Sequence, residues 1–193
     1  MTYSQDREDL ILDGLLKGKS SITYLDIGAG DPQIINNTFF FYQKGCSGVL
    51  VDPLPWNCQE IKKKRPRDML LEGVVYNGPE KEVWIRVRGR HGGGSRIVKE
   101  RPPEDKRQVL AKVFEINDIL IYLRKVPDFI SIDAEGHDLQ ILKSLDFNKS
   151  KVPLFCVETE HDKEIVPFLK SKGYEVAATT RSNTIFKTLS PTV

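Results

Sequence analysis

Apolar residues along this chain fall into short blocks, and the stretches between them carry a helical period. Residues 22–27 form the first block, with Ile22, Tyr24, Leu25 and Ile27, and it runs into Gly28-Ala29-Gly30. Blocks at 48–52, 69–76, 128–133 and 154–158 repeat the pattern, as strands buried on both faces do. Residues 81–87 alternate instead, placing Val83, Ile85 and Val87 on one face and Trp84, Arg86 and Arg88 on the other. Ile11, Leu12, Leu15 and Leu16 share a helical face that Gly18 closes. Further helices are predicted at 33–44, 56–64, 116–124, around Leu139, Leu142 and Leu145, and at 162–172. The runs 174–178 and 184–189 are joined too tightly for a crossover helix, so they should pair antiparallel.

Strands alternating with helices imply right-handed crossovers and an open sheet covered on both faces. The expected architecture is α/β and Rossmann-like: a mostly parallel seven-stranded sheet with one antiparallel strand. With 193 residues and no linker or internal repeat, a single domain over 1–193 is expected.

Composition narrows the class only a little. Hydrophobic residues at 39% and charged residues at 29% suit a globular chain, and a net charge of +2 is too mild to imply nucleic acid. No run approaches the ~18 apolar residues of a membrane span. Residues 1–9 lack the basic and apolar regions of a secretory signal. Cys46, Cys58 and Cys156 form no C-x-x-C pair and read as reduced packing residues, with the cytoplasm as the default compartment. One segment stands apart. Residues 86–107 hold eight Lys or Arg against three Asp or Glu, a net of +5 that leaves the remainder negative. With Gly92-Gly93-Gly94 and Pro102-Pro103 it is expected to be a mobile loop insert, either solvated or a substrate lid.

Ligands of open parallel sheets bind at the carboxyl ends of strands, so those ends carry the candidate chemistry. The first strand ends in Asp26-Ile27-Gly28-Ala29-Gly30-Asp31-Pro32, where glycines allow a tight turn and close approach of a ligand. The second ends in Asp52, placed to accept hydrogen bonds from two vicinal ribose hydroxyls. A dinucleotide site needs a third glycine, but Gln33 stands there, and Pro32 interrupts the turn that would cradle a pyrophosphate. S-adenosylmethionine has no phosphate to cradle, and Asp26 suits its cationic amino group. Farther along lies Asp133-Ala134-Glu135-Gly136-His137-Asp138, and the neighbouring strand ends in Glu158, followed by Glu160 and His161. Asp133 and Glu158 could face one another and share Mg2+ or another divalent cation through oxygen ligands. His137 could act as a general base.

The ordered set Ser4-Gln5-x-x-Glu8-Asp9, LDIGAGDP, Asn37-Thr38, GVLVDP, IDAEGHD, VET and SNTIF resembles the FkbM family of methyltransferases along nearly the whole chain. The resemblance implies a Rossmann-like class I fold and O-methylation of hydroxyls on sugars, polyketides or glycans. It implies cofactor contacts from Asp26, Gly28, Gly30 and Asp52, a pocket completed by Gln5 and Asn37, and Asp133, Glu135 and His137 at the methyl-transfer end. The basic insert matches no motif of the family. Two rivals use the same residues. One is an RNA or nucleotide methyltransferase relying on the insert and on Lys62-Lys63-Lys64-Arg65, although no basic face interleaved with aromatic residues is evident. The other is a non-catalytic S-adenosylmethionine-binding module. A dehydrogenase is disfavoured by Pro32 and Gln33.

Overall fold

In the computed structural model, which describes residues 1–89, 93–98, 100–101, 107–123 and 125–189, the apolar blocks become strands of one ten-stranded sheet. The strands are β1 (Tyr24–Ile27), β2 (Val49–Asp52), β3 (Met69–Val75), β4 (Glu82–Arg86), β5 (Arg96–Val98), β6 (Gln108–Phe114), β7 (Phe129–Ile132), β8 (Leu154–Glu158), β9 (Tyr174–Thr179) and β10 (Asn183–Thr188). The helices are α1 (Glu8–Leu15), α2 (Phe39–Gln43), α3 (Pro55–Lys64), α4 (Ile116–Tyr122), α5 (Asp138–Ser144) and α6 (Ile165–Ser171). Across the sheet the order is β5-β4-β6-β3-β2-β1-β7-β8-β10-β9.

The two-residue period of the strands divides the core. Leu25, Ile27, Val49, Val51, Ile130, Ile132, Phe155 and Val157 pack with residues of α4, α5 and α6. The alternate positions Tyr24, Leu50, Phe129, Leu154 and Cys156 pack with Leu12 of α1, Phe41 of α2 and Ile61 of α3. Each central strand is thus buried on both faces, which explains its unbroken apolar run. β1 pairs in parallel with β2 on one side and β7 on the other, so the strand order reverses there and opens a crevice above the carboxyl ends. As expected, β10 lies antiparallel between β8 and β9.

Several sequence expectations change. Ten strands replace seven, and two run against the parallel direction rather than one, because β4 is antiparallel to β6 as β10 is to β8. The strands the sequence did not mark are β5, where residues 96–98 of the basic insert fold back on β4, and β6 just after it, where residues 108–114 pair with both β4 and β3. The insert is thus partly sheet; Gly92, Pro102 and Pro103 lie outside the described residues. The helix expected at 33–44 shrinks to 39–43, because Ile35 takes a left-handed φ of 52° and the Asn36 carboxamide bonds Ala29 O and Asp31 O. In the basic run 62–65, Lys62 pairs with Glu72, Lys64 with Glu60, and Arg65 is wholly buried. Finally, a basic face with an aromatic residue does exist. Arg86 stands opposite Arg96 on the outer side of β4 and β5, one row from Trp84, over whose ring lies the Arg101 guanidinium at 5.4 Å.

Arg65 ties the helical layer to the strand ends. Its Nε donates to Asp68 at 2.7 Å, its Nη1 to Asn36 Oδ1 at 3.0 Å, and its Nη2 to Thr38 Oγ1 at 2.9 Å and Tyr24 Oη at 3.2 Å. Removing one partner of such a buried network strands the other charge. Arg65→Ala is therefore expected to cost about 3–5 kcal/mol in denaturant unfolding. Arg65→Lys should recover little, since an ammonium cannot reproduce the planar fork. A loss below about 1 kcal/mol for Arg65→Ala would contradict the role given to this network.

Candidate functional site

The crevice is built where β1 gives way to its glycine turn. Gly28 has φ +81°, and a Cβ there would come within 1.9 Å of the Asp133 carbonyl oxygen. The glycine thus lets the ends of β1 and β7 touch; the missing side chain makes room for protein backbone. Gly28 and Ala29 donate their N–H groups to Val51 O at 2.9 and 3.1 Å, turning the chain toward β2. Gly30, at φ +60°, donates to Asp52 Oδ2 at 2.8 Å.

Asp52 is nearly buried and well held. Its oxygens also accept from Leu54 N at 2.9 Å and from Asn57 Nδ2 at 3.2 and 3.3 Å. Burial nevertheless outweighs these donors and pushes its carboxyl up to about 6.

Across the crevice the loop after β7 is folded by Asp138, whose carboxylate accepts Ala134 N at 2.8 Å and Gly136 N at 3.1 Å. Asp133 opens to the crevice on one side and is crowded by protein on the others. That crowding, together with Glu158, Glu135 and Asp138, pushes its carboxyl well above the usual aspartate range. Burial also raises Glu158, with Asp138 and Glu135 adding repulsion and His161 opposing it. His137 moves the other way: desolvation holds its imidazole below the ordinary value, with Asp138 partly opposing. Its ring meets the edge of Tyr76 at 5.7 Å between centroids.

These elements enclose a cleft of about 390 Å³, within the range of small-molecule sites. Of the residues singled out in the sequence, Gly28, Gly30, Asp52, Asp133, Glu135 and His137 line it. Gln5, Asp26, Asn37 and Glu158 do not. Gln5 donates to Ser182 Oγ at 3.4 Å, Asn37 to Ser131 Oγ at 3.1 Å, and Asp26 accepts Thr38 Oγ1 at 2.6 Å inside the Arg65 network. Glu8 and Asp9 of the N-terminal motif are buried anchors: Glu8 binds Thr180 and Asn183, and Asp9 binds Thr2, Tyr3 and Ser4.

Sequence reasoning missed Ile34, Ile35 and Asn57, and also Ile85 and Ile97 from the sheet extension, all of which line the cleft. Ile34 and Ile35 are 67% and 66% exposed, two branched apolar residues in an otherwise polar loop. That was the signal available in the sequence. As for a divalent cation, Asp133 and Glu158 gather no third ligand among the described residues. Among the described residues the trio with ligand atoms within 4.8 Å is Glu158, Glu160 and His161, two of them exposed.

Residues 26–176 match the methyltransferase FkbM domain. The chain belongs to the FkbM methyltransferase family. No curated protein matches it in sequence. Among solved structures it is similar to a precorrin-6y C5,15-methyltransferase from Geobacter metallireducens, with TM-score 0.51, 15% identity, and coverage of 95% of this chain and 87% of that one. A TehB-like SAM-dependent methyltransferase from Corynebacterium glutamicum gives 0.48 and 10%, covering 94% and 87%. A Burkholderia thailandensis 1,6-didemethyltoxoflavin-N1-methyltransferase, solved with its namesake compound and S-adenosylhomocysteine, gives 0.46 and 14%, covering 95% and 77%. At such identities the likeness is one of fold, and the fold is that of class I methyltransferases. All three cysteines of this FkbM methyltransferase are buried and unpaired, and none of its described helices is long and apolar enough to cross a membrane.

The lowered His137 value has a checkable sign. The folded state is the poorer proton binder, so its contribution to stability is present above the unfolded value near 6.5 and is lost as pH falls from there through the lower folded value. Titrated by NMR, the His137 imidazole is expected to have its midpoint below the ordinary value and to be neutral at pH 7. A midpoint above 7 would contradict the desolvation described.

Proposed function

We propose that this FkbM methyltransferase binds S-adenosylmethionine in the cleft and transfers its methyl group to a hydroxyl of a sugar, glycan or other polyhydroxylated small molecule. The observation that carries the reading is Asp52, held at the end of β2 by Gly30, Leu54 and Asn57 and facing the cleft. An ionised carboxylate there can accept two ribose hydroxyls. On the other bank the strongest charges acting on Asp133 are all carboxylates, a field that favours a cationic ligand. The residues present thus fit the cofactor, which supplies a methyl group already activated on a sulfonium.

The work left to the chain is alignment and proton removal. Fixing two reactants in line is worth at most roughly 7–11 kcal/mol. His137 lines the cleft and stays unprotonated at neutral pH, so its imidazole can take the hydroxyl proton as the methyl group is accepted. Asp133, short of counter-charge, would hold the acceptor by accepting a hydrogen bond from a second hydroxyl.

Calorimetric titration tests the cofactor. S-adenosylmethionine is expected to bind in the micromolar range, NAD much more weakly, and Asp52→Ala to lose at least tenfold in affinity. Because Asp52 must be ionised to accept the ribose, affinity should be level near pH 7. Below the value of about 6 it should weaken, approaching tenfold per pH unit. Asp52→Asn should remove that dependence. Preference for NAD would sink the reading. For the acceptor, a panel of glycans and diols should accept methyl, whereas transfer only to amines or protein would refute O-methylation.

A second reading draws on Arg86, Arg96 and Trp84 on the outer face of β4 and β5. Phosphates and stacked bases suit such a face, and an RNA or nucleotide acceptor would then be used. Binding of single-stranded RNA that falls steeply with salt would favour it; salt-independent or absent binding would exclude it.

A further inference from the structure

Glu135 occupies a costly backbone position. Its φ is +53°, in the left-handed region that long side chains seldom adopt. The carboxylate placed by that turn does not hang free in the cleft: Oε1 accepts the N–H of Gly94, in the connection between β4 and β5. These partners stand on opposite banks. Glu135 follows β7, whereas Gly94 joins β4 to β5, so β6, β3, β2 and β1 lie between their strands. Gly93, Ser95, Ile85 and Ile97 line the cleft from the hairpin side, facing the strand ends that carry Gly28, Asp52 and Asp133. The contact therefore bridges the mouth.

The remainder of the hairpin is braced independently of Glu135. Val83, Ile85 and Val87 are packed with Leu54 and Val74. Arg88 N donates to Ser95 Oγ at 3.0 Å, and Arg107 Nη1 to Gly89 O at 3.1 Å. At Gly94 the tip reaches the far bank through its hydrogen bond to Glu135. Gly94 has φ +76°, so a side chain is disfavoured where the carboxylate is met. An ionised acceptor makes a stronger bond to an amide than a neutral one does. A carboxylate oxygen engaged in this way is also poorly placed to remove a proton from an acceptor.

We propose that Glu135 is a positioning residue, a latch that holds the β4–β5 hairpin across the cofactor cleft and sets how fast cofactor and demethylated product exchange. This rests on the reading of the cleft as the S-adenosylmethionine site. Closure of this kind excludes water during transfer and makes product release depend on opening the hairpin. It also gives the family-unassigned insert a place in the reaction: its inner face roofs the cofactor, whatever its outer face meets.

Two variants and two readouts test the latch. Glu135→Gln keeps an acceptor oxygen without the charge; Glu135→Ala removes the acceptor. Hydrogen exchange on the protein without ligand should show the Gly94 amide protected in the wild type, exposed in Glu135→Ala and largely protected again in Glu135→Gln, while β5 keeps the protection its pairing with β4 provides in all three. The dissociation rate of S-adenosylhomocysteine, followed by surface plasmon resonance, should rise about tenfold or more in Glu135→Ala. In Glu135→Gln it should stay within about threefold of the wild type. Unchanged exchange protection in Glu135→Ala, or an unchanged dissociation rate, would overturn the latch. If the wild type shows the expected protection but binds no S-adenosylhomocysteine, the cofactor reading has failed, and with it the exchange role.

Discussion

The site depends on a guanidinium buried away from water. Arg65 is fully enclosed, and a charge so placed is tolerated only when its donors are met. Asp68 meets one edge; Asn36, Thr38 and Tyr24 meet the rest. Each of those partners has a second task. Asn36 holds Ala29 O and Asp31 O, Thr38 donates to Asp26, and Asp68 accepts from Gly48 N and Tyr24 Oη. The network therefore dictates one path for residues 29–38 and one position for the glycine turn. Asp26 is drawn into this frame: burial raises its carboxyl while Arg65 and Thr38 oppose the shift.

With the turn fixed, the cleft acquires two unlike banks. Asp52 stands in a shell of neutral donors that orient its oxygens toward a ligand. Asp133 and Glu158 sit among other carboxylates, and their raised values record lost hydration first and repulsion second. Such an end is improved by a cation and by hydroxyl donors, the two things a sulfonium cofactor and a polyhydroxylated acceptor bring. The hydrophobic clusters on either side of the sheet hold the banks apart, and the β4–β5 hairpin spans them.

The parallel core was legible because its strands are buried on both faces, and such burial leaves unbroken apolar runs. Asp52, Gly28, Gly30, Asp133 and His137 were legible as cleft-lining residues because clefts of open sheets form at strand ends near the switch point. What escaped had its signal masked. Residues 108–114 follow a charged stretch and carry Gln108 and Lys112, so their alternation was hidden beside the insert. Three-residue β5 is too short for any period to show. Arg65 closes a run of lysines and looked solvated, yet only its neighbours are. Helix periodicity over 33–44 failed because side-chain bonds from Asn36 compete with the helical ladder. The placements of Gln5 and Asn37 required tertiary contacts 177 and 94 residues apart, beyond any local pattern.

The central claim is that the glycine turn and Asp52 form a nucleoside-binding bank opposite an acidic transfer end. A crystal structure with S-adenosylhomocysteine addresses it directly. The account expects both ribose hydroxyls within hydrogen-bond distance of Asp52 and the sulfur directed toward Asp133 and His137. A ribose bound away from Asp52, or a ligand outside the cleft, would contradict it.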